Sequence, residues 1–192
     1  MGMAEKEMGG MVEVVESGFV VPSEETPKQQ IWLSNLDLWF GRHYTATVYV
    51  YVPDGDPNFF SVEALKAALG KALVSFYPMA GRLVVNRDGR LEIECTGEGV
   101  PFVVARSNFT LGDFGDFTPP TDVRPLLVPP AESVEPPCIL IMFQVSFESP
   151  LTRFLYGYVM MMPGILLLLY GHRNCMLPTN ARNIRNAMAP KK

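Results

Sequence analysis

Acidic residues are missing from the last part of this sequence. All twenty Asp and Glu of the 192 residues lie at or before Glu148, whereas residues 149–192 carry six Lys and Arg. The formal net charge of −4 therefore combines −10 for the first 148 residues (ten basic, twenty acidic) with +6 for the rest. The acidic part has no Lys/Arg run, and phosphate binding depends on clustered basic side chains. We therefore expect no nucleic-acid partner.

Cysteine is also scarce. Cys95, Cys138 and Cys175 are widely spaced and form no C-x-x-C motif, which predicts reduced thiols, an intracellular protein and no metal site. The N-terminal residues show no basic region followed by an apolar one, so no signal peptide is visible. We expect a cytoplasmic protein.

One uncharged run approaches the length of a membrane span. Residues 154–170 have no charged side chain, but Gly157, Pro163 and Gly164 lie within the run. Its 17 residues are near the lower limit for a spanning helix, and the Pro-Gly pair disfavours a helix. We expect no membrane partner, and a single-span anchor over 154–170 stays as an alternative.

The remaining sequence mixes strand and helix patterns, which predicts an α+β fold with a mixed sheet. The spacing of apolar residues predicts a helix over 61–76, capped by Asn58 or Ser61 and ended by Pro78. Seven prolines among residues 117–137 predict a long surface connection. The strand predictions cover 11–17, 44–52, a hairpin of 81–86 with 90–95, 101–105, and an apolar strand over 138–147 that is buried on both faces.

The strand over 44–52 has two chemically different faces. Tyr44, Ala46, Val48, Val50 and Val52 alternate with hydroxyl-bearing residues, as expected for a strand with one face toward the core. The second face consists of Thr45, Thr47, Tyr49 and Tyr51. It is a candidate pocket wall, and a half-exposed strand with amphipathic tyrosines is the alternative.

The order of these segments resembles that of a known family. The segments are IWLSNLDL at 31–38, HYTATVYVY at 43–51, ALKAALGKALVSFYPMAGRL at 64–83, DGRLEIECTGEGVPFV at 88–103, DFGDF at 113–117 and FQVSF at 143–147. Over about residues 11–148 the chain resembles the start of a plant BAHD acyltransferase, and is most similar to the hydroxycinnamoyl-CoA:shikimate/quinate hydroxycinnamoyltransferase type. FYPMAGRL followed by the RDGRLEIEC hairpin is the most specific part of the match.

The resemblance implies a fold and a reaction. The fold is that of chloramphenicol acetyltransferase, of which residues 1–148 form part of the N-terminal domain. The reaction moves an acyl group from acyl-CoA, the co-substrate, to a hydroxyl or amine of a small-molecule acceptor. By resemblance, Thr45, Thr47 and Tyr49 are the candidate substrate contacts.

The motif that carries the family's catalysis does not occur in these 192 residues. In the family, the His of His-x-x-x-Asp is the general base, about twenty residues beyond the strand matched by 143–147. Here that window reads MMMPGILLLL, and neither His43 nor His172 is followed by Asp four residues later. We therefore assign no catalytic residue. DFGDF at 113–117 resembles the family's DFGWG motif only superficially, because that motif lies in the second domain.

Two segments of different origin are the simplest interpretation. Residues 1–148 are acyltransferase-like, and residues 149–192 are an unrelated apolar and basic tail, as in a truncated gene model or splice product. We expect this chain to be inactive alone, and its strand over 138–147 to lack its usual sheet neighbours and expose apolar surface. A non-catalytic ligand-binding or regulatory fragment and a membrane-tethered variant remain alternatives.

Overall fold

The structure is a computed structural model and describes residues 12–39, 42–51, 60–107, 127–129, 134–148 and 154–161. Nine strands lie in these ranges: β1 Val12–Val20, β2 Gln30–Trp32, β3 Tyr44–Tyr51, β4 Arg82–Val85, β5 Leu91–Glu94, β6 Val100–Ser107, β7 Cys138–Ile139, β8 Ile141–Glu148 and β9 Phe154–Met161. The helices are α1 Asn35–Trp39, α2 Val62–Ser75 and a 3-10 helix over Tyr77–Ala80. The predicted α+β class is confirmed.

The strands form two sheets. The five-stranded sheet has the order β1-β6-β8-β9-β3, and the four-stranded sheet has the order β2-β5-β4-β7. β6 and β8 are parallel, and all the other pairs are antiparallel. The chain passes from the smaller sheet to the larger one at Leu140, which separates β7 from β8. The prediction of one continuous strand over 138–147 is therefore wrong, because the chain bends at Leu140 and forms two strands. Apolar composition alone does not reveal a bend within a buried segment.

β8 lies in the middle of the five-stranded sheet. It pairs with β6 on one side and β9 on the other, and residues 141–146 are all buried. Burial on both faces is confirmed. The expectation that this strand lacks sheet neighbours is wrong, because β9 supplies the second one.

β9 is the largest difference from the sequence-based interpretation. Phe154–Met161 begins the run considered for a membrane span, and it is a strand paired with both β8 and β3. Among the residues that the structure describes, no helix is long and apolar enough to cross a bilayer. The rest of the run, the DFGDF segment, Cys175 and His172 lie outside the described residues. The division into an acyltransferase-like part and an unrelated tail stays a prediction.

Helix α2 confirms the predicted cap and end. The Ser61 hydroxyl accepts a hydrogen bond from the Ala64 backbone N–H at 3.3 Å, as an N-cap residue does to satisfy a free helical donor. Pro78 lies in the 3-10 helix that follows. Leu65, Leu69 and Leu73 recur at helical spacing and pack against the main core.

The main core lies between α2, the four-stranded sheet and one face of the larger sheet. Its fully buried members include Leu33, Leu83, Ile93 and Val145. A smaller cluster lies on the opposite face of the larger sheet, where Val128 and Met142 are packed by Tyr44, Val48 and Ile139. Both faces of the larger sheet therefore carry apolar packing. The register of β3 decides which of the two clusters each of its side chains faces.

Candidate functional site

β3 is an edge strand of the five-stranded sheet, and its register with β9 fixes which face each residue occupies. Thr47 lies opposite Tyr158 and Tyr49 opposite Tyr156. Across β9, Tyr158 lies opposite Phe143 and Tyr156 opposite Val145. Directly paired residues of an antiparallel ladder share a face. Thr45, Thr47, Tyr49 and Tyr51, here called the hydroxyl face, are therefore on the same side of the sheet as the main core.

This placement corrects the predicted orientation of β3. The alternation itself is confirmed, since Tyr44 and Val48 pack together against the smaller cluster. That cluster, however, lies on the face of the sheet opposite to Phe143 and Val145. The side chains that were expected to face the main core therefore pack against the smaller cluster. Tyr44 also contacts the main core. Period-two alternation separates the two faces of a strand but does not show which one faces the larger core.

The hydroxyl face lies on the same side of the larger sheet as the main core, but it is open to solvent. Thr45 is exposed, Thr47 is half-buried, and Tyr49 and Tyr51 are 46% and 38% exposed. The Tyr49 and Tyr51 rings lie 6.5 Å apart between centroids. The three candidate residues thus share one accessible surface, with hydroxyl groups next to aromatic rings.

Phe60 closes one end of this surface. Its ring centroid is 4.5 Å from that of Tyr51, with the ring planes tilted by 44°, an arrangement that aromatic pairs favour. Phe60 has φ of 57°, and a non-glycine residue in this left-handed region costs about 1–2 kcal/mol. The residue also packs against the main core, so it links that core to the end of the hydroxyl face.

The other side of β3 is anchored to the smaller sheet. The Tyr44 hydroxyl donates to the Ile139 carbonyl oxygen at 2.6 Å, and the Arg42 guanidinium pairs with the Glu135 carboxylate at 2.7 Å. Both contacts join the start of β3 to the chain around β7. The contacts fix β3 from its opposite face and leave the hydroxyl face uncovered by these residues.

The two buried cysteines are unsuited to nucleophilic chemistry. Burial raises the pKa of the Cys95 thiol to about 11, against smaller opposing effects of a Gln29 backbone hydrogen bond and the Lys28 charge. Burial likewise raises the pKa of Cys138. Since the thiolate is the reactive form, both are packing residues. Among the described residues, no group of three or more His, Cys, Asp or Glu could hold a metal ion.

Comparison with known proteins identifies the family. Residues 10–150 match the family described as "Transferase family". "Putrescine hydroxycinnamoyltransferase 1" of Oryza sativa subsp. japonica is 55% identical over 139 residues, which are 71% of this chain and 31% of that protein. "Shikimate O-hydroxycinnamoyltransferase" of Nicotiana tabacum is 53% identical over 116 residues, 60% of this chain and 27% of that protein. The chain thus spans about a third or less of these two relatives.

Solved structures agree on the fold. Vinorine synthase superposes with a TM-score of 0.61 at 23% identity, covering 88% of this chain and 43% of that one. TRI101 of F. sporotrichioides, solved with coenzyme A and T-2, gives 0.57 at 18% identity, covering 85% of this chain and 46% of that one. The fold is that of CoA-dependent acyltransferases, and with the family match over residues 10–150 it identifies the chain as a member of the BAHD acyltransferase family.

Proposed function

We propose that this chain provides the acceptor-binding part of a hydroxycinnamoyl-CoA-dependent acyltransferase, and that Thr45, Thr47 and Tyr49 contact the acceptor. The observation that carries the proposal is the hydroxyl face itself. It is accessible, it bears four hydroxyl groups at alternate positions of one strand, and it lies on the same side of the larger sheet as the main core. Hydroxyl groups both donate and accept hydrogen bonds, so they can orient a polar ligand against aromatic rings.

The chemistry of this face favours a hydroxyl-bearing acceptor. All four side chains of the hydroxyl face are uncharged, so they offer no carboxylate to an ammonium group. The names of the two relatives mention shikimate and putrescine, and the uncharged face suits the first kind of acceptor, a hydroxylated ring. Acyl-CoA is the donor implied by the family.

Acyl transfer needs a catalytic base in addition to the proposed acceptor contacts Thr45, Thr47 and Tyr49. The acceptor oxygen forms a bond to the thioester carbonyl carbon, the carbon–sulfur bond breaks, and the acceptor proton passes through a base to the leaving CoA thiolate. A positioned base contributes about 10²–10⁴-fold to such a rate, and no His-x-x-x-Asp occurs in these 192 residues. We propose that this chain binds acceptor and does not by itself catalyse the transfer.

Binding and catalysis are tested separately. Titration of the 192-residue protein with shikimate, followed by thermal melting and calorimetry, should show saturable binding that Tyr49→Phe and Thr47→Val each weaken about two- to tenfold, as expected for loss of one hydrogen bond. Thr96→Val, outside the hydroxyl face, is the control and should leave the affinity unchanged. An assay with p-coumaroyl-CoA and shikimate should release no CoA above the uncatalysed rate.

Three results would reject the proposal. Absence of shikimate binding to folded protein would remove the acceptor site, and CoA release that persists in purified protein would show that a base was missed. Equal loss of affinity in Thr96→Val would show that the effect of the other two variants is general destabilisation.

A further inference from the structure

Each of the two sheets has two edge strands, and these differ in how well they can pair with a further strand. In the described part of the chain, β1 and β3 are the edges of the five-stranded sheet, and β2 and β7 those of the four-stranded sheet. β2 has three residues and β7 has two, and such short edges offer little backbone for pairing. The long edges are β1, with nine residues, and β3, with eight.

β1 carries features that prevent pairing at an edge. Glu13 and Glu16 are exposed on this strand, and its register with β6 shifts between Val14 and Glu16, as at a β-bulge. Charged side chains and bulges are the means by which natural sheets avoid association through their edges. Two copies that paired through β1 would also bring their carboxylates together. This edge is therefore protected.

β3 has none of these features. Its residues Tyr44–Tyr51 are uncharged, include no proline, and pair with β9 at every position without a shift in register. β9 is the one neighbour of β3 among the described strands, so alternate backbone N–H and C=O groups of β3 point away from the sheet. Thr45 and Ala46, on opposite faces of the strand, are both exposed. The edge is therefore accessible from both sides of the sheet.

The sequence of β3 is complementary to itself. Residues that lie opposite each other in an antiparallel pair share a face of the sheet. A two-fold axis at Val48 meets this condition, because it sets Thr47 opposite Tyr49 of a second copy, and Thr45 opposite Tyr51. Pairs of a β-branched and an aromatic residue stabilise antiparallel strands, and no like charges meet in this register.

The charges that flank β3 favour the same arrangement. Arg42 precedes the strand and Asp54 follows it, and the two are equally far from Val48 along the sequence. The Arg42 side chain pairs with Glu135 and is still 38% exposed. In an antiparallel pair about Val48, the start of each strand lies beside the end of the other. Unlike charges therefore flank both ends of the pair, whereas a parallel pair would bring like charges together.

We propose that two copies of this chain pair through β3, in antiparallel orientation about a two-fold axis at Val48, and so join their five-stranded sheets into one. The hydroxyl faces of the two copies then adjoin on one side of the joined sheet. Pairing needs no acceptor, so this proposal does not depend on the proposed function. The contact is smaller than the interface of a permanent dimer, and we expect a dissociation constant of about 10–100 µM.

Sedimentation equilibrium of the 192-residue protein without ligand, over about 5–500 µM, measures this association. We expect a monomer–dimer equilibrium without larger species, because β1 is protected. Ala46→Lys places a charge on the open edge and should weaken dimerisation about tenfold or more. Val15→Lys adds the same charge at an exposed position of β1 and should leave the association unchanged. A thermal melt of each variant checks that it is folded.

Cysteine cross-linking tests the register independently. In a Cys175→Ser background, Val48→Cys sets two thiols opposite each other across the axis, within reach of a disulfide. Mild oxidation should then give a covalent dimer on a non-reducing gel. Ala46→Cys is the matched control on the same face of the strand, because its two thiols would lie about 13 Å apart along the strand. Cys95 and Cys138 are buried and should not react.

Four results would overturn the proposal. They are protein that stays monomeric at about 500 µM, association that Ala46→Lys leaves unchanged, equal weakening by Val15→Lys and Ala46→Lys, and equal cross-linking of Ala46→Cys and Val48→Cys. The cross-linking result decides the matter even if Ala46→Lys does not fold, because Val48→Cys changes the side-chain volume little.

Discussion

The Tyr44 hydroxyl donates a 2.6 Å hydrogen bond to the carbonyl oxygen of Ile139. Tyr44 begins β3 at the edge of the five-stranded sheet, and Ile139 ends β7 at the edge of the four-stranded sheet. One side chain therefore joins the two sheets and holds the strand that carries the candidate acceptor contacts.

Removal of this hydroxyl should destabilise the protein. Tyr44→Phe leaves the Ile139 carbonyl oxygen without this partner, so the free energy of unfolding should fall by about 1 kcal/mol. Tyr51→Phe is a matched control, because in the described part of the chain the Tyr51 hydroxyl makes no hydrogen bond. Urea unfolding of both variants measures the difference, and equal stabilities would show that the Tyr44 bond contributes nothing.

Gly81, within the FYPMAGRL segment, should not tolerate a side chain. A Cβ at this position would lie 2.2 Å from the Glu94 carbonyl oxygen, and because that oxygen belongs to the backbone, the β4–β5 pairing would have to shift. We expect Gly81→Ala to cost more than about 2 kcal/mol, in the range of severe packing defects. Gly18→Ala, which meets nothing within 4 Å, should change stability little. A Gly81→Ala protein as stable as Gly18→Ala would contradict this close approach.

Glu63, in the first turn of α2, should titrate below its usual range. A hydrogen bond from its own backbone N–H lowers the pKa of Glu63 most, followed by one from the Ser61 hydroxyl. Because the pKa is lower in the folded protein, the stabilisation is present above the pKa of the unfolded chain and is lost as pH falls through the folded value. Ser61→Ala should therefore raise the Glu63 pKa, which NMR titration of the carboxyl carbon measures. An unchanged pKa would show that Ser61 does not contribute.

Cys95 should be protected from alkylation until the protein unfolds. With the pKa raised to about 11 by burial, the thiol stays protonated at pH 8, and its sulfur is covered. Because the folded pKa is the higher one, this contribution to stability is complete below the unfolded pKa and is lost as pH rises toward 11. Iodoacetamide labelling followed by peptide mass spectrometry should modify Cys95 only in denaturant. Rapid labelling of folded protein at pH 8 would contradict the buried placement.

Local patterns were enough to predict much of the fold. The α2 spacing, the Ser61 cap, the hairpin of β4 and β5 and the strand β3 all follow from periodicity and turn residues within short segments. The overall fold was predicted from the family resemblance. The most specific part of that resemblance includes the β4–β5 hairpin.

Long-range pairing explains what the sequence did not reveal. β9 was missed because FLYGYVMM continues into a longer uncharged run, and composition does not distinguish a buried strand from a membrane segment. β9 is itself the second neighbour of β8, so the expectation that β8 lacks its usual sheet neighbours was wrong for the same reason.

Binding of the acceptor to the hydroxyl face of β3 is tested most directly by NMR of threonine-methyl-labelled protein titrated with shikimate. We expect saturable shifts of the Thr45 and Thr47 methyl signals, with those of Thr26 and Thr96 unmoved, and loss of the shifts in Tyr49→Phe at the same ligand concentration. Unchanged Thr45 and Thr47 signals at ligand concentrations that saturate calorimetric binding would contradict it, because the acceptor would then be bound elsewhere.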